Sequence, residues 1–175
     1  MRPSTSTIDI PPSTGPVEIL RPARAHGAGM WRVARDSGAL ELNTSYAYLL
    51  WARDFAATTR VAVTGGDVAG FVSGYLRPDA PERLFVWQVA VDERLRGQGV
   101  AARLLDDLLA GNPGVTTLET TITEDNAASR RLFASFAERH GAGLATEPGF
   151  EAGDFPDGHD AEVLHVITPL HPAES

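Results

Sequence analysis

Six consecutive residues have the types and spacing to hold an anion: Arg94-Leu95-Arg96-Gly97-Gln98-Gly99. Glycine has no side chain to obstruct backbone N–H groups, and the helix expected after Gly99 brings the positive end of its dipole to the same place. Backbone donors and two arginines at a helix N-terminus make a cradle for pyrophosphate. Two patterns compete for this turn. Gly97-Gln98-Gly99-Val100-Ala101-Ala102 satisfies the dinucleotide pattern G-x-G-x-x-G/A, and Glu119 lies 20 residues beyond Gly99, where a ribose-binding acid would sit. In that pattern, however, glycines follow the strand at once, whereas here Asp92 to Arg96 intervene. The 56 residues after Glu119 are also too few to complete a dinucleotide domain. The second pattern is R-x-x-G-x-G, from Arg94 to Gly99. A further polar group, Glu41-Leu42-Asn43-Thr44-Ser45-Tyr46, reads either as the N-cap of a helix or as a small polar binding loop.

The elements that must position these residues are legible around them. In Leu84 to Val91, Phe85, Trp87, Val89 and Val91 fall on one side of an extended chain, with Leu84, Val86 and Ala90 on the other, which predicts a central strand covered on both faces. From Gly97 the period becomes helical, with Val100, Ala101, Leu104, Leu105, Leu108 and Leu109 on one stripe. Upstream, Val17–Leu20 predicts a strand, about 24–37 a helix ending near Gly38, and Tyr46–Arg53 a second helix. Runs at 60–63 and 68–75 flank the hairpin signal Thr64-Gly-Gly-Asp67. In that hairpin, Gly70 and Gly74 suggest close backbone approach, and Pro78 and Pro81 are expected to separate it from the central strand.

Downstream, Val115–Ile122 predicts a strand, and a helix opens at Thr123-Glu-Asp-Asn126 and closes at Arg139-His140-Gly141. Leu144 can begin a strand, 147–161 reads as a Gly/Pro/Asp-rich loop, and Glu162–Ile167 is a final strand. The order β-α-α-β-β-β-α-β-α-β-β predicts a mixed α/β sandwich with one βα unit carrying the phosphate loop. Residues 1–16, rich in Pro, Ser and Thr, are expected to be a tail, and 17–171 one domain.

Composition narrows the function. Zero cysteines exclude disulfides, a thiolate zinc site and an acyl-cysteine intermediate, and no metal site is expected. A net charge of −8 disfavours nucleic-acid and membrane-surface partners and favours a cationic substrate. No apolar leader or run of about 18 apolar residues occurs, so a cytoplasmic setting is expected.

With these residues assembled, the R-x-x-G-x-G turn resembles the pyrophosphate loop of the GCN5-related N-acetyltransferases (GNAT). From about Val17 to Leu170 the chain resembles one branch of that superfamily, the L-2,4-diaminobutyric acid acetyltransferases of ectoine biosynthesis. Three stretches carry the likeness: 30–56, 84–105 and 118–142. The second is generic to the superfamily; the first and third are specific to the branch. The resemblance implies a GNAT fold, a central mixed and mostly antiparallel sheet flanked by helices. It also implies acetyl transfer from acetyl-CoA to the γ-amine of L-2,4-diaminobutyrate, by direct attack in a ternary complex, in a homodimer.

Carried over residue by residue, the likeness implies a coenzyme site in three parts. The central strand contributes Gln88, Val89, Ala90 and Val91. The pyrophosphate loop contributes Arg94, Arg96, Gly97, Gln98, Gly99, Val100 and Ala101. The following helix contributes Asn126, Ser129, Arg130 and Phe133. For the amine it implies Glu41, Asn43, Thr44, Tyr46, Trp87, His159 and Glu162, with Glu162, His159 and Trp87 at the reaction centre. A free α-amino acid needs donors for its carboxylate and acceptors for its ammonium groups, and these residue types supply both. Glu41, Glu119, His159 and Glu162 can each accept the proton that the γ-ammonium must lose. Many relatives carry a tyrosine seven residues after the asparagine to protonate the departing thiolate. Here that position is Phe133, and a thiolate is already a stable leaving group near neutral pH.

Overall fold

The computed structural model describes residues 15–171; the expected tail lies outside them apart from its last two residues. Seven strands form one sheet in the order β1-β2-β3-β4-β5-β7-β6. They are β1 (Glu18–Leu20), β2 (Thr59–Thr64), β3 (Asp67–Arg77), β4 (Ala80–Val91), β5 (Thr117–Thr123), β6 (Gly143–Phe150) and β7 (Glu162–Thr168). Every neighbouring pair is antiparallel except β4 and β5. The expected mixed, mostly antiparallel sheet is therefore present, and its single parallel pair is the βα unit that carries the glycine turn.

Helices cover the two faces, and each forms for a reason visible in its residues. On one face lie α3 (Val100–Ala110) and α4 (Ala127–Arg139). The stripe Val100, Leu104, Leu105, Leu108 and Leu109 buries α3 against Leu84, Val86, Leu118 and Ile167. On the other face lie α1 (Gly27–Ser37) and α2 (Ser45–Arg53). Met30, Val33 and Ala34 of α1 and Tyr48 and Ala52 of α2 pack on Val61, Phe71 and Ala90. Helix α1 stops at Gly38, whose φ of 62° only glycine adopts without strain. Asn126 caps α4 by accepting a hydrogen bond from the Ser129 N–H at 3.1 Å. Thr44 stands at the N-cap of α2, but its side chain makes no capping bond.

Three expectations need correction. Residues 147–150 belong to β6 rather than to a loop, because an edge strand tolerates Pro148 and Gly149 at a register shift. Its eight residues are all exposed, so no alternating apolar pattern marked it. Pro81 lies inside β4, and only Pro78 and Asp79 separate β3 from β4. Glu119 is no ribose ligand. It stands opposite Phe85, well before the end of β4, and at 1% exposure it is bound by Arg77 and Arg83. Each of its carboxylate oxygens accepts from one of those arginines and the residue does not line the cavity described below, which also removes it from the candidate proton acceptors.

Candidate active site

The site begins where two strands part. β4 pairs with β5 only from Arg83–Val86 to Thr117–Thr120, and the Thr120 hydroxyl donates to the Val86 carbonyl at 3.0 Å at the fork. Beyond it, Trp87 to Val91 have no partner on the β5 side. The Asp92 N–H donates to the Ala69 carbonyl of β3 at 2.8 Å, so alternation turns the backbone groups of Ala90 toward β3 and those of Val89 and Val91 toward the gap. Unmade backbone hydrogen bonds cost about 1–3 kcal/mol each when buried. The edge at Val89 and Val91 therefore invites a ligand with amide groups of its own.

A bulge sits at the fork. Ser73 opposes Gln88 while Gly74 opposes Val86, leaving Trp87 as the extra residue of β4. Gly74 is required there, because a Cβ would collide with the Phe85 carbonyl. The bulge turns Trp87 onto Trp51 of α2, with ring centroids 5.1 Å apart, and Gln88 onto Tyr48 of the same helix.

The glycine turn follows β4. Gly97 and Gly99 have φ of 75° and 74°, and a Cβ on either would meet nothing within 4 Å. The turn is thus an open concavity rather than a packed one. α3 has no side-chain cap and no acidic residue in its first turn, so its first N–H groups remain available to an anion. Arg94 pairs with Asp92 at 3.3 Å, and Arg96 donates to the Val91 and Ser37 carbonyls at 3.4 Å. Both guanidiniums stay close to the turn, and Gln98 donates to the Arg94 carbonyl at 3.0 Å.

A cavity of about 520 Å³ occupies the fork and reaches both faces of the sheet. From α4 it is lined by Asn126, Ser129 and Phe133, and from β4 by Trp87, Gln88 and Val89. Glu41, His159 and Glu162 complete the polar part of the wall. The His159 Nε2 lies 3.7 Å from a Glu162 oxygen. The Nδ1 of His159 is 2.6 Å from the Asp160 carbonyl. That hydrogen bond, more than anything else, holds the imidazole's pKa above its usual range. Partial desolvation opposes it, and the charges of Glu162, Glu41 and Asp157 support it. Since Nδ1–H is committed to Asp160, Nε2 is the nitrogen left to exchange a proton in the cavity.

The structure thus brings together Glu41, Trp87, Gln88, Val89, Asn126, Ser129, Phe133, His159 and Glu162. Arg94, Arg96, Gly97, Gln98, Gly99, Val100 and Ala101 stand on the turn and the first residues of α3 rather than on the cavity wall, and Arg130 is exposed on α4. Ala90 is buried in the α1–α2 core. Asn43, Thr44 and Tyr46 do not line the cavity, and Tyr46 is 66% exposed. Asn43 nevertheless carries a buried Nδ2 without a partner. Aromatic lining residues went unread in the sequence: Trp51, Tyr75, Phe150 and Phe155. Two of them offered a signal. Large aromatics in a Gly/Pro/Asp-rich stretch, such as Phe150 and Phe155, must find either a core or a ligand. Here Phe155 stacks on His159 at 4.5 Å.

Comparison with known proteins agrees with this geometry. Residues 28–137 match the acetyltransferase (GNAT) family. The L-2,4-diaminobutyric acid acetyltransferase of Streptomyces coelicolor is 57% identical over 159 residues, covering 88% of this chain and 94% of its own. The enzyme of that name from Chromohalobacter salexigens is 40% identical, covering 99% and 92%. Among solved structures, diaminobutyrate acetyltransferase EctA from Paenibacillus lautus, in complex with L-2,4-diaminobutyric acid and coenzyme A, superposes with a TM-score of 0.85. It is 39% identical and covers 92% of this chain and 99% of its own.

Proposed function

The chain belongs to the diaminobutyric acid acetyltransferases of the GNAT family, and from that premise we propose how its own residues carry out the reaction. It transfers the acetyl group of acetyl-CoA to the γ-amine of L-2,4-diaminobutyrate, giving the N-γ-acetyl product and CoA, a step of ectoine biosynthesis. The observation that carries this reading is the fork. The unpaired backbone edge of β4 opens, at Val89, onto the same cavity as the Glu41–His159–Glu162 group.

The site fits acetyl-CoA, which supplies an activated acetyl group. The amides of the pantetheine arm pair with the free edge of β4, and the pyrophosphate takes the uncapped N–H groups of α3 and the open turn at Gly97 and Gly99. Arg94 and Arg96 reverse the protein's negative field locally. Ser129, Arg130 and Asn126 at the start of α4 flank the arm.

At the other end, Trp87, backed by Trp51, walls the amine. The ammonium groups take Glu41 and Glu162, both of which line the cavity. The γ-ammonium gives its proton to Glu162, with His159 Nε2 beside it as relay. The neutral nitrogen then attacks the acetyl carbon directly in a ternary complex: an N–C bond forms, the C–S bond breaks and the sulfur leaves as thiolate, while the second proton of the attacking nitrogen passes to His159 Nε2 and on to solvent. The Val89 N–H faces the carbonyl oxygen as charge develops on it. Phe133 offers no acid, and none is needed for a thiolate.

This reading includes a homodimer, supported by the exposed edge strand β6, and a cytoplasmic setting for a single domain over 17–171. Among the described residues no helix is long and apolar enough to cross a membrane. The test is CoA release from acetyl-CoA with diaminobutyrate, ornithine, lysine, putrescine and a peptide as amines. Release specific to diaminobutyrate is expected, with double-reciprocal lines that intersect. Preference for another amine would discard the substrate assignment, and parallel lines would discard the ternary complex. Light scattering that gives a monomer would remove the dimer.

A further inference from the structure

The bulge in β4 turns a second residue toward α2, and its contacts are of another kind from those of Trp87. Gln88 is 5% exposed and bonded at both ends of its amide. The Tyr48 hydroxyl donates to Gln88 Oε1 at 3.1 Å, and Gln88 Nε2 donates to the Glu41 carbonyl at 2.9 Å. Tyr48 is itself buried, its ring held edge-on by Phe71 at 5.9 Å. The two bonds fix the amide's orientation. Were it flipped, Oε1 would face the Glu41 carbonyl, acceptor against acceptor. Among the described residues, no other hydrogen bond ties residues 40–43 to the sheet. That segment carries Leu40 and Glu41 into the cavity wall.

We propose that Gln88, oriented by Tyr48, is a positioning residue: it holds the 39–44 segment against β4 so that Glu41 meets the amine. Its side chain thereby serves the amine end, while the neighbouring backbone at Val89 serves the coenzyme. The inference rests on the reading of this cavity as the amine site, in that Glu41 has nothing to orient otherwise.

The test pairs Gln88→Met, which removes both bonds at similar volume, with Tyr48→Phe, which keeps the ring on Phe71 and removes only the hydroxyl. Amide hydrogen exchange is followed without amine present, alongside the KM for diaminobutyrate and the Kd for CoA. Both variants are expected to exchange faster at 40–44 and normally in α3. The KM should rise about tenfold in Gln88→Met and less in Tyr48→Phe, with the Kd for CoA within about twofold of the parent. Unchanged exchange at 40–44 overturns the proposal, as does protection lost equally across α3 or a CoA affinity that falls with the KM. Faster exchange at 40–44 in a protein whose parent does not turn over diaminobutyrate sinks the substrate assignment and leaves the bridge standing.

Discussion

The two ends of the proposed site are built from different materials. At the proposed coenzyme end the groups on offer are backbone: the free edge of β4, two glycines of positive φ and the uncapped start of α3. At the proposed amine end they are side chains from separate elements: Glu41 after α1, Trp51 on α2, Trp87 on β4, and His159 and Glu162 near β7. A backbone site recognises what every acyl-CoA shares, an amide-bearing arm and a pyrophosphate, and needs only a strand, a turn and a helix. A side-chain site must be assembled by the fold, and so can change its substrate while the coenzyme end stands still.

That division predicts which changes damage which end. The largest effect is expected from Gly99→Val. A β-branched residue at that φ is strained by about 1–3 kcal/mol, and its methyls enter the phosphate concavity. The affinity for CoA should fall about 100-fold, near 2.7 kcal/mol, in a titration without amine. An unchanged Kd would mean that the turn is not the pyrophosphate site.

Glu162→Gln acts at the other end and should lower kcat about 100-fold, in the range of a lost general base, with CoA binding intact. A parallel fall in CoA affinity would break the proposed separation. Trp87→Ala should raise the KM for diaminobutyrate about tenfold, near 1.4 kcal/mol. If it disturbs CoA binding more than the KM, the bulge belongs to the coenzyme end.

The pH profile sharpens the assignment of the proton relay. The Asp160 carbonyl and the surrounding carboxylates keep His159 protonated above the usual histidine range. Because Nε2 must be free to take a proton, kcat should rise with pH through that raised value, and His159→Gln should remove the limb. A limb that survives the substitution would assign it elsewhere. The stability that the imidazolium contributes has the opposite dependence: it is present in full at acid pH and is lost as pH rises through the raised value. The smallest effect is expected from Phe133→Tyr. Restoring the phenol should change kcat by less than about threefold, since the thiolate leaves without an acid. A large gain would show that departure of the thiolate limits the reaction.

The same division explains what was legible in the sequence. Arg94 to Gly99 and the stripe from Val100 to Leu109 are local, so spacing alone located the open glycine turn and the helix behind it. The fork was not legible, because β4 continues in sequence past the point where β5 leaves it. The bulge at Trp87 was hidden too. Strict alternation puts Trp87 and Gln88 on opposite faces, and only the register against β3 brings both onto α2. Glu119 stood at a suggestive spacing from Gly99, but the arginines that claim it, Arg77 and Arg83, lie 42 and 36 residues away in the chain. The resemblance to a known branch named Glu41, His159 and Glu162 as neighbours. The chain order alone, with His159 lying 118 positions beyond Glu41, could not have done so.

The central claim concerns the nitrogen that receives the acetyl group. It is tested most directly by a single turnover of ¹³C-acetyl-CoA with L-2,4-diaminobutyrate labelled with ¹⁵N at the γ position. The account predicts a carbonyl resonance split by one-bond coupling to the labelled nitrogen. An unsplit resonance in an acetylated product would place the acetyl group on the α-amine, and would contradict the orientation assigned to the substrate between Trp87, Glu41 and Glu162.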